Sequence, residues 1–167
     1  MNKWILGARP RTLPAAIAPV LTATALAYRQ NEKINYLNAL LAFGVGVALQ
    51  IGVNYSNDYS DGVKGTEANR VGPIRLVGSG LASAKSVKNA AMFLYLNGSI
   101  FGIVLALRTS WILILIGAIA IAAAWFYTGG NNPYGYRGLG EISVFIFFGL
   151  IATTGTYDGA TKSITIW

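Results

Sequence analysis

A polytopic bundle of transmembrane α-helices is the fold class the sequence predicts, and three observations predict it. The 167-residue chain is 54% hydrophobic and only 11% charged, with a mean hydropathy of +0.50, whereas soluble domains carry about 25% charged residues. Its apolar residues gather into runs of membrane-spanning scale, bounded by Lys, Arg, Trp and Tyr. Cysteine and histidine are both absent. That absence excludes disulfides, zinc sites, thiol chemistry and the commonest general base. Any chemistry must use Asp, Glu, Asn, Lys, Arg, Tyr and a hard metal. The formal charge of +7 does not point to nucleic acid, because the basic residues punctuate apolar segments and form no continuous stripe.

About five spans follow in order. Residues 1–12 form a juxtamembrane lead-in with Trp4 at the interface. Arg9 and Arg11 flank Pro10 as anchors; a second reading gives one of them to an anionic substrate at a cavity mouth. Residues 13–28 are a short first span, kinked by Pro14 and Pro19. Residues 37–54 are the second, with Gly44, Gly46 and Gly52 permitting close helix packing. Residues 59–88 make one long polar stretch in which Ser79 and Ser83 mark a turn and a helix start. Residues 90–107 are the third span, where Asn97 and Ser99 read as interhelical hydrogen-bonding groups. Residues 111–127 are the fourth, with Trp111 at one end and Trp125, Phe126 and Tyr127 at the other. A glycine-rich loop over 128–140 leads to a fifth run at 142–156 and a weakly structured tail.

Orientation follows from Lys and Arg placement. Nine of them fall on the side of the N-terminus and the two glycine-rich loops, and four on the other. The expectation is a multi-pass protein of the cell membrane with its N-terminus and both loops in the cytoplasm.

The candidate site lies where the second span ends. If the helix continues to Asp61, then Asn54, Asn57, Asp58 and Asp61 follow i, i+3, i+4, i+7 spacing and share one face with Gln50. Carboxylate and amide oxygens are hard donors that suit Mg²⁺. Lys64, Arg70, Arg75, Lys85 and Lys88 follow within one polar stretch. Carboxylates beside a basic loop are what a metal-bridged diphosphate requires; the plain alternative is a solvated helix end. An apolar bundle beneath such a face offers room for a hydrocarbon chain. Metal and cations would stabilise departing pyrophosphate, and Tyr55, Tyr59 or Tyr127 would face the allylic cation left behind.

The run Asn54-Tyr-Ser-Asn57-Asp58-Tyr-Ser-Asp61-Gly-Val-Lys64, followed by Asn69-Arg70-Val-Gly-Pro73-Ile-Arg75, resembles the first aspartate-rich motif of intramembrane (UbiA-type) prenyltransferases. The opening Trp4 to Ala16 and the segment Tyr127-Thr-Gly-Gly130 through Gly135-Tyr-Arg137-Gly-Leu-Gly-Glu141 resemble the menaquinone-pathway branch. The resemblance covers roughly residues 4–156. It implies an all-helical fold of roughly nine spans around a central cavity. It also implies Mg²⁺-dependent transfer of a polyprenyl group from its diphosphate to 1,4-dihydroxy-2-naphthoate, with loss of CO₂, to give a demethylmenaquinol. The implied partners are polyprenyl diphosphate, the naphthoate and the lipid bilayer, with no nucleic acid.

Asp58 and Asp61 are then the expected catalytic residues, and Asn54, Asn57, Asp58 and Asp61 the expected metal ligands. Lys64, Arg70 and Arg75 are expected on the diphosphate. Tyr127 and Arg137 are expected on substrate, although Arg137 also reads as a membrane anchor, paired with Glu141. Another aromatic acceptor and a non-catalytic, transporter-like subunit are the rival readings. Gly65 stands where the wider family often has Asp, as the menaquinone branch commonly does. The family's second aspartate-rich motif is not met before Trp167. Residues 1–156 therefore read as the N-terminal part of the domain, 157–167 as an atypical tail, and this form alone as having little activity.

Overall fold

The structure, a computed structural model, describes residues 2–66 and 73–161. Arg70, one of the expected diphosphate contacts, lies outside the described residues. All regular structure among those described is helical.

Helix α1, Lys3–Ala8, is capped by the Asn2 side chain and stops at Arg9, whose φ of 53° is left-handed. A 3₁₀ turn at Pro10–Thr12 leads into α2, Pro14–Arg29. Helix α3 runs unbroken over Tyr36–Lys64, α4 over Ala84–Arg108 and α5 over Ile112–Phe126. After a 3₁₀ turn at Tyr134–Arg137 comes α6, Gly140–Thr161, whose middle, Phe145–Ala152, is wound as a π-helix.

Three helices, α3, α4 and α6, are long and apolar enough to cross a membrane. The shorter apolar α5 has 15 residues, about 22 Å of helix against a hydrocarbon core of about 30 Å. At 29 residues, α3 is about 43 Å long. It is longer than the hydrocarbon core, and its last turns are rich in Asn and Asp.

Helix α3 is the axis of the bundle. Its most extensive partner is α4, and it also touches α1, α2, α5 and the end of α6. The expected glycine contacts are present. A Cβ on Gly44 would lie 2.9 Å from the Phe101 ring, and one on Gly52 2.8 Å from the Tyr95 ring. The core of Tyr55, Leu76, Val87, Ala91 and Tyr95 forms at the Asn/Asp-rich end.

Two expectations need correction. Asn97 and Ser99 donate to Phe93 O and Tyr95 O, one turn back in their own helix, which is the local alternative open to short polar side chains. The helix start marked by Ser83 is present: α4 begins at Ala84, capped by the Ser83 side chain, and carries the third apolar span as its continuation. The tail is helical and packed through Thr161. There Asn38 Nδ2 donates to Gly159 O at 2.7 Å, and Asn35 N donates to Ala160 O at 2.7 Å, so the end of α6 is capped by another helix.

Candidate functional site

The polar face of α3 is buried. Asn54 is 4% exposed, Asn57 8%, Asp61 3% and Asp58 not at all. A solvated helix end would show the reverse, so that reading fails. Buried carboxylates need partners, and the two aspartates find different ones.

Asp58 accepts two backbone N–H groups, Leu76 at 2.7 Å and Val77 at 3.0 Å, one on each oxygen. It holds the loop after α3 against the bundle. Leu76 is fully buried and fills the space beside Gly7 and Tyr55. Gly62 supplies clearance, since a Cβ there would sit 2.4 Å from Val77 Cγ1.

Asp61 faces two side chains instead. Arg75 Nη2 donates to Oδ2 at 2.8 Å, and the Tyr136 hydroxyl donates to Oδ1. Arg75 is itself 5% exposed. The Tyr136 hydroxyl is pushed above its ordinary range, first by partial burial and then by the Asp61 carboxylate. It therefore stays protonated, and a donor, at neutral pH.

The loop between α5 and α6 closes the arrangement. The Thr128 hydroxyl donates to Asn57 Oδ1 at 2.7 Å. Lys64 Nζ donates to Thr128 O at 2.6 Å and lies 5.4 Å from the centre of the Tyr136 ring. On the other flank, Asn54 Nδ2 donates to Ala8 O and Thr12 Oγ1, both at 2.9 Å, and Gln50 joins it on Thr12 at 3.1 Å. Three stretches far apart in sequence thus converge on the last turns of α3.

Asn57, Asp61, Lys64 and Arg75 are linked through Thr128 and Tyr136; Asn54 shares their helix face on the opposite flank, and Tyr127 and Arg137 stand outside the cluster. Tyr127 packs edge-on against Tyr134 at 5.4 Å and over Gly135 and Gly140, shaping its loop. Arg137 is exposed. Tyr55 is spent on packing, its hydroxyl on Trp4 O at 2.7 Å. Tyr59 stacks on Trp125 and carries Lys88 5.7 Å from its ring centre. Tyr136 is the residue the sequence reading missed. Its signal was a neutral hydroxyl one position before the arginine that drew attention.

The donor set fits one kind of metal site. Among the described residues no three of His, Cys, Asp and Glu group closely enough to cage an ion, and Asp58 has both oxygens on backbone amides. One carboxylate, Asp61, with amide oxygens beside it, suits Mg²⁺ that arrives on a diphosphate, since Mg²⁺ commonly takes one or two carboxylates and completes its shell with phosphate and water.

An apolar cavity of about 340 Å³ lies between α2, α3, α4, α5 and α6, lined by residues such as Val20, Val45, Leu49, Gly102, Ile121 and Phe148. Leu49 precedes Asp61 by twelve residues, about 18 Å along α3. A buried polar cluster that pairs Asp61 with Arg75 thus lies on the same helix as an apolar slot.

The family model described as "UbiA prenyltransferase family" matches residues 16–167. The chain belongs to the UbiA prenyltransferase family. The match takes in residues 157–167, which the sequence reading set apart. Similar proteins include two named "1,4-dihydroxy-2-naphthoate octaprenyltransferase". The one from Mycobacterium tuberculosis is 56% identical over 92% of this chain and 52% of its own length. The one from Haemophilus influenzae is 40% identical over 98% and 56%. The mouse "UbiA prenyltransferase domain-containing protein 1" is 29% identical over 98% and 49%. The chain spans about half the length of the curated relatives it matches. No solved structure matches it significantly. With its apolar helices, this UbiA-family chain is a multi-pass membrane protein.

Proposed function

We propose that this UbiA-family chain binds a polyprenyl diphosphate with Mg²⁺ and serves its transfer to 1,4-dihydroxy-2-naphthoate, with loss of CO₂, to give a demethylmenaquinol. The observation that carries the reading is the Asp61 carboxylate, buried beside Arg75 on the same helix that walls the apolar cavity. The names of the relatives at 40–56% identity support the choice of acceptor.

Asp61, with the amide oxygen of Asn54 and the remaining lone pair of Asn57 Oδ1, which already accepts the Thr128 hydroxyl, would hold Mg²⁺, which when bound neutralises charge on the departing pyrophosphate. Asn54 spends its nitrogen on Ala8 and Thr12, so its oxygen is the end offered to a ligand. Arg75 and Lys64 cover phosphate oxygens. Arg75 exchanges its carboxylate partner for phosphate as the head group enters, which keeps a buried guanidinium paired throughout. Tyr136 holds Asp61 in place by donating to one oxygen. Arg70 joins this set by sequence position. The prenyl C–O bond breaks and its electron pair leaves on pyrophosphate. The ring carbon that bears the carboxylate attacks the allylic carbon to form the new C–C bond. The bond to the ring carboxylate then breaks, CO₂ departs, and the electron pair restores the ring. The excess of Lys and Arg on the loop side supports a cytoplasmic site in the cell membrane.

Titration of the chain in lipid nanodiscs with Mg²⁺ and a polyprenyl diphosphate tests the reading. Binding that needs Mg²⁺ and weakens at least about tenfold in Asp61→Asn is expected. Binding indifferent to both removes it. Adding dihydroxynaphthoate or hydroxybenzoate and reading the product mass decides the acceptor.

A further inference from the structure

The apolar cavity has a defined lower end. Its last lining residues on the side away from Asp61 are Ala42 on α3, Leu105 on α4, Leu113 on α5 and Thr156 on α6. One turn further on, three of these helices are tied together by polar groups. Arg108 Nε donates to Asn38 Oδ1 at 2.7 Å, and Asn38 Nδ2 donates to Gly159 O at 2.7 Å. Asn38 is 1% exposed and Leu105 6%. A hydrocarbon chain descending the slot meets a plate of hydrogen-bonded polar groups. Pushing past it would leave buried polar groups unpaired.

The cavity walls carry a second signal. Most glycines in the bundle are explained by close contact, as Gly44 and Gly52 are. Gly117 on α5 and Gly155 on α6 are not: a Cβ built on either meets nothing within 4 Å. Both line the cavity. Glycine in a helix interior costs about 1 kcal/mol relative to alanine, and at these two positions no neighbouring helix among the described residues requires it. What a side chain there would occupy is the slot.

We infer that the Asn38–Arg108–Gly159 plate and the bare walls at Gly117 and Gly155 set the length of isoprenoid tail the chain accepts. This rests on the reading of the site as a prenyl diphosphate site. The head group fixes one end of the ligand, the plate limits the other, and the two glycines keep the path between them open. In a bilayer the tail gains little by leaving lipid, since both surroundings are apolar, so selection by length acts through exclusion.

The test measures Mg²⁺-dependent binding of geranyl, farnesyl, geranylgeranyl and octaprenyl diphosphates to the chain in nanodiscs, with inorganic pyrophosphate as the tail-free probe. Gly155→Leu and Gly117→Leu are expected to leave pyrophosphate binding unchanged and to weaken the longer tails about tenfold while sparing geranyl. The cut-off should fall at a shorter tail for Gly117→Leu, which blocks the slot nearer the head site. Asn38→Leu should relax the cut-off towards longer tails. Identical length profiles in wild type and both glycine variants, with pyrophosphate and tails still bound, overturn the inference and leave the head site standing. Failure of the wild type to bind any isoprenoid diphosphate removes both.

Discussion

Asp58→Ala separates two roles that sequence spacing alone gives to the same residue. In the structure Asp58 has no solvent exposure, and its oxygens accept the Leu76 and Val77 amides at 2.7 and 3.0 Å. Removing the carboxylate leaves two donors unsatisfied, one of them on a fully buried residue. Each such loss costs about 1–3 kcal/mol. Taking about 3 kcal/mol for the pair, the local opening that frees these amides becomes on the order of a hundredfold more populated. Hydrogen exchange of the chain in nanodiscs reads this directly: protection should fall by that factor at Leu76 and Val77 and stay intact in the middle of α4. Asp58→Asn recovers little, because it keeps one acceptor and turns an amide donor toward the other N–H. Asp61→Asn should leave both amides protected. Unchanged protection in Asp58→Ala, together with lost Mg²⁺-dependent pyrophosphate binding, would make Asp58 a ligand and refute the scaffold argument.

Tyr136→Phe tests the second contact on Asp61. The raised phenol means the Tyr136–Asp61 contact is fully present below the ordinary tyrosine value of 10.0 and is lost as pH climbs through the higher folded value. An ultraviolet titration should show the variant missing a phenol that ionises later than ordinary tyrosine; a missing step at or below the ordinary value would contradict this. Gly62→Ala forces a methyl to within 2.4 Å of Val77 Cγ1 and 2.6 Å of its Cβ. It should cost about 1–3 kcal/mol and expose residues 73–83 to limited proteolysis, and wild-type resistance in the variant would count against the packing described.

The helical class, the long α3 and the gathering of Asn54, Asn57 and Asp61 were legible because hydropathy and helical spacing are local properties. The separation of Asp58 from Asp61 was not. Both are aspartates on one face, and only the folded loop decides that one meets backbone amides and the other meets Arg75. Tyr136 was obscured for a related reason. In the turn at Tyr134–Arg137 adjacent residues point in different directions, so charge drew attention to Arg137 while geometry brought its neighbour to the site. The end of α6 was not legible because its order depends on groups more than a hundred residues away. In the bundle Asn35 N and Asn38 Nδ2 donate to the carbonyls of Ala160 and Gly159, and Gly159 lies against Leu105.

The π-wound middle of α6 has a geometric result for the slot it borders. Inward positions on this helix repeat every four residues: Phe147, Ile151 and Gly155 on one track, and Phe148, Ala152 and Thr156 on the next. In a plain α-helix each such step overshoots a full revolution by about 40°, and a track of this kind would soon wander off to the lipid. Looser winding over Phe145–Ala152 lags where the α-wound ends run ahead. The two errors offset, and one straight seam of α6, from Phe147 to Thr156, faces the slot.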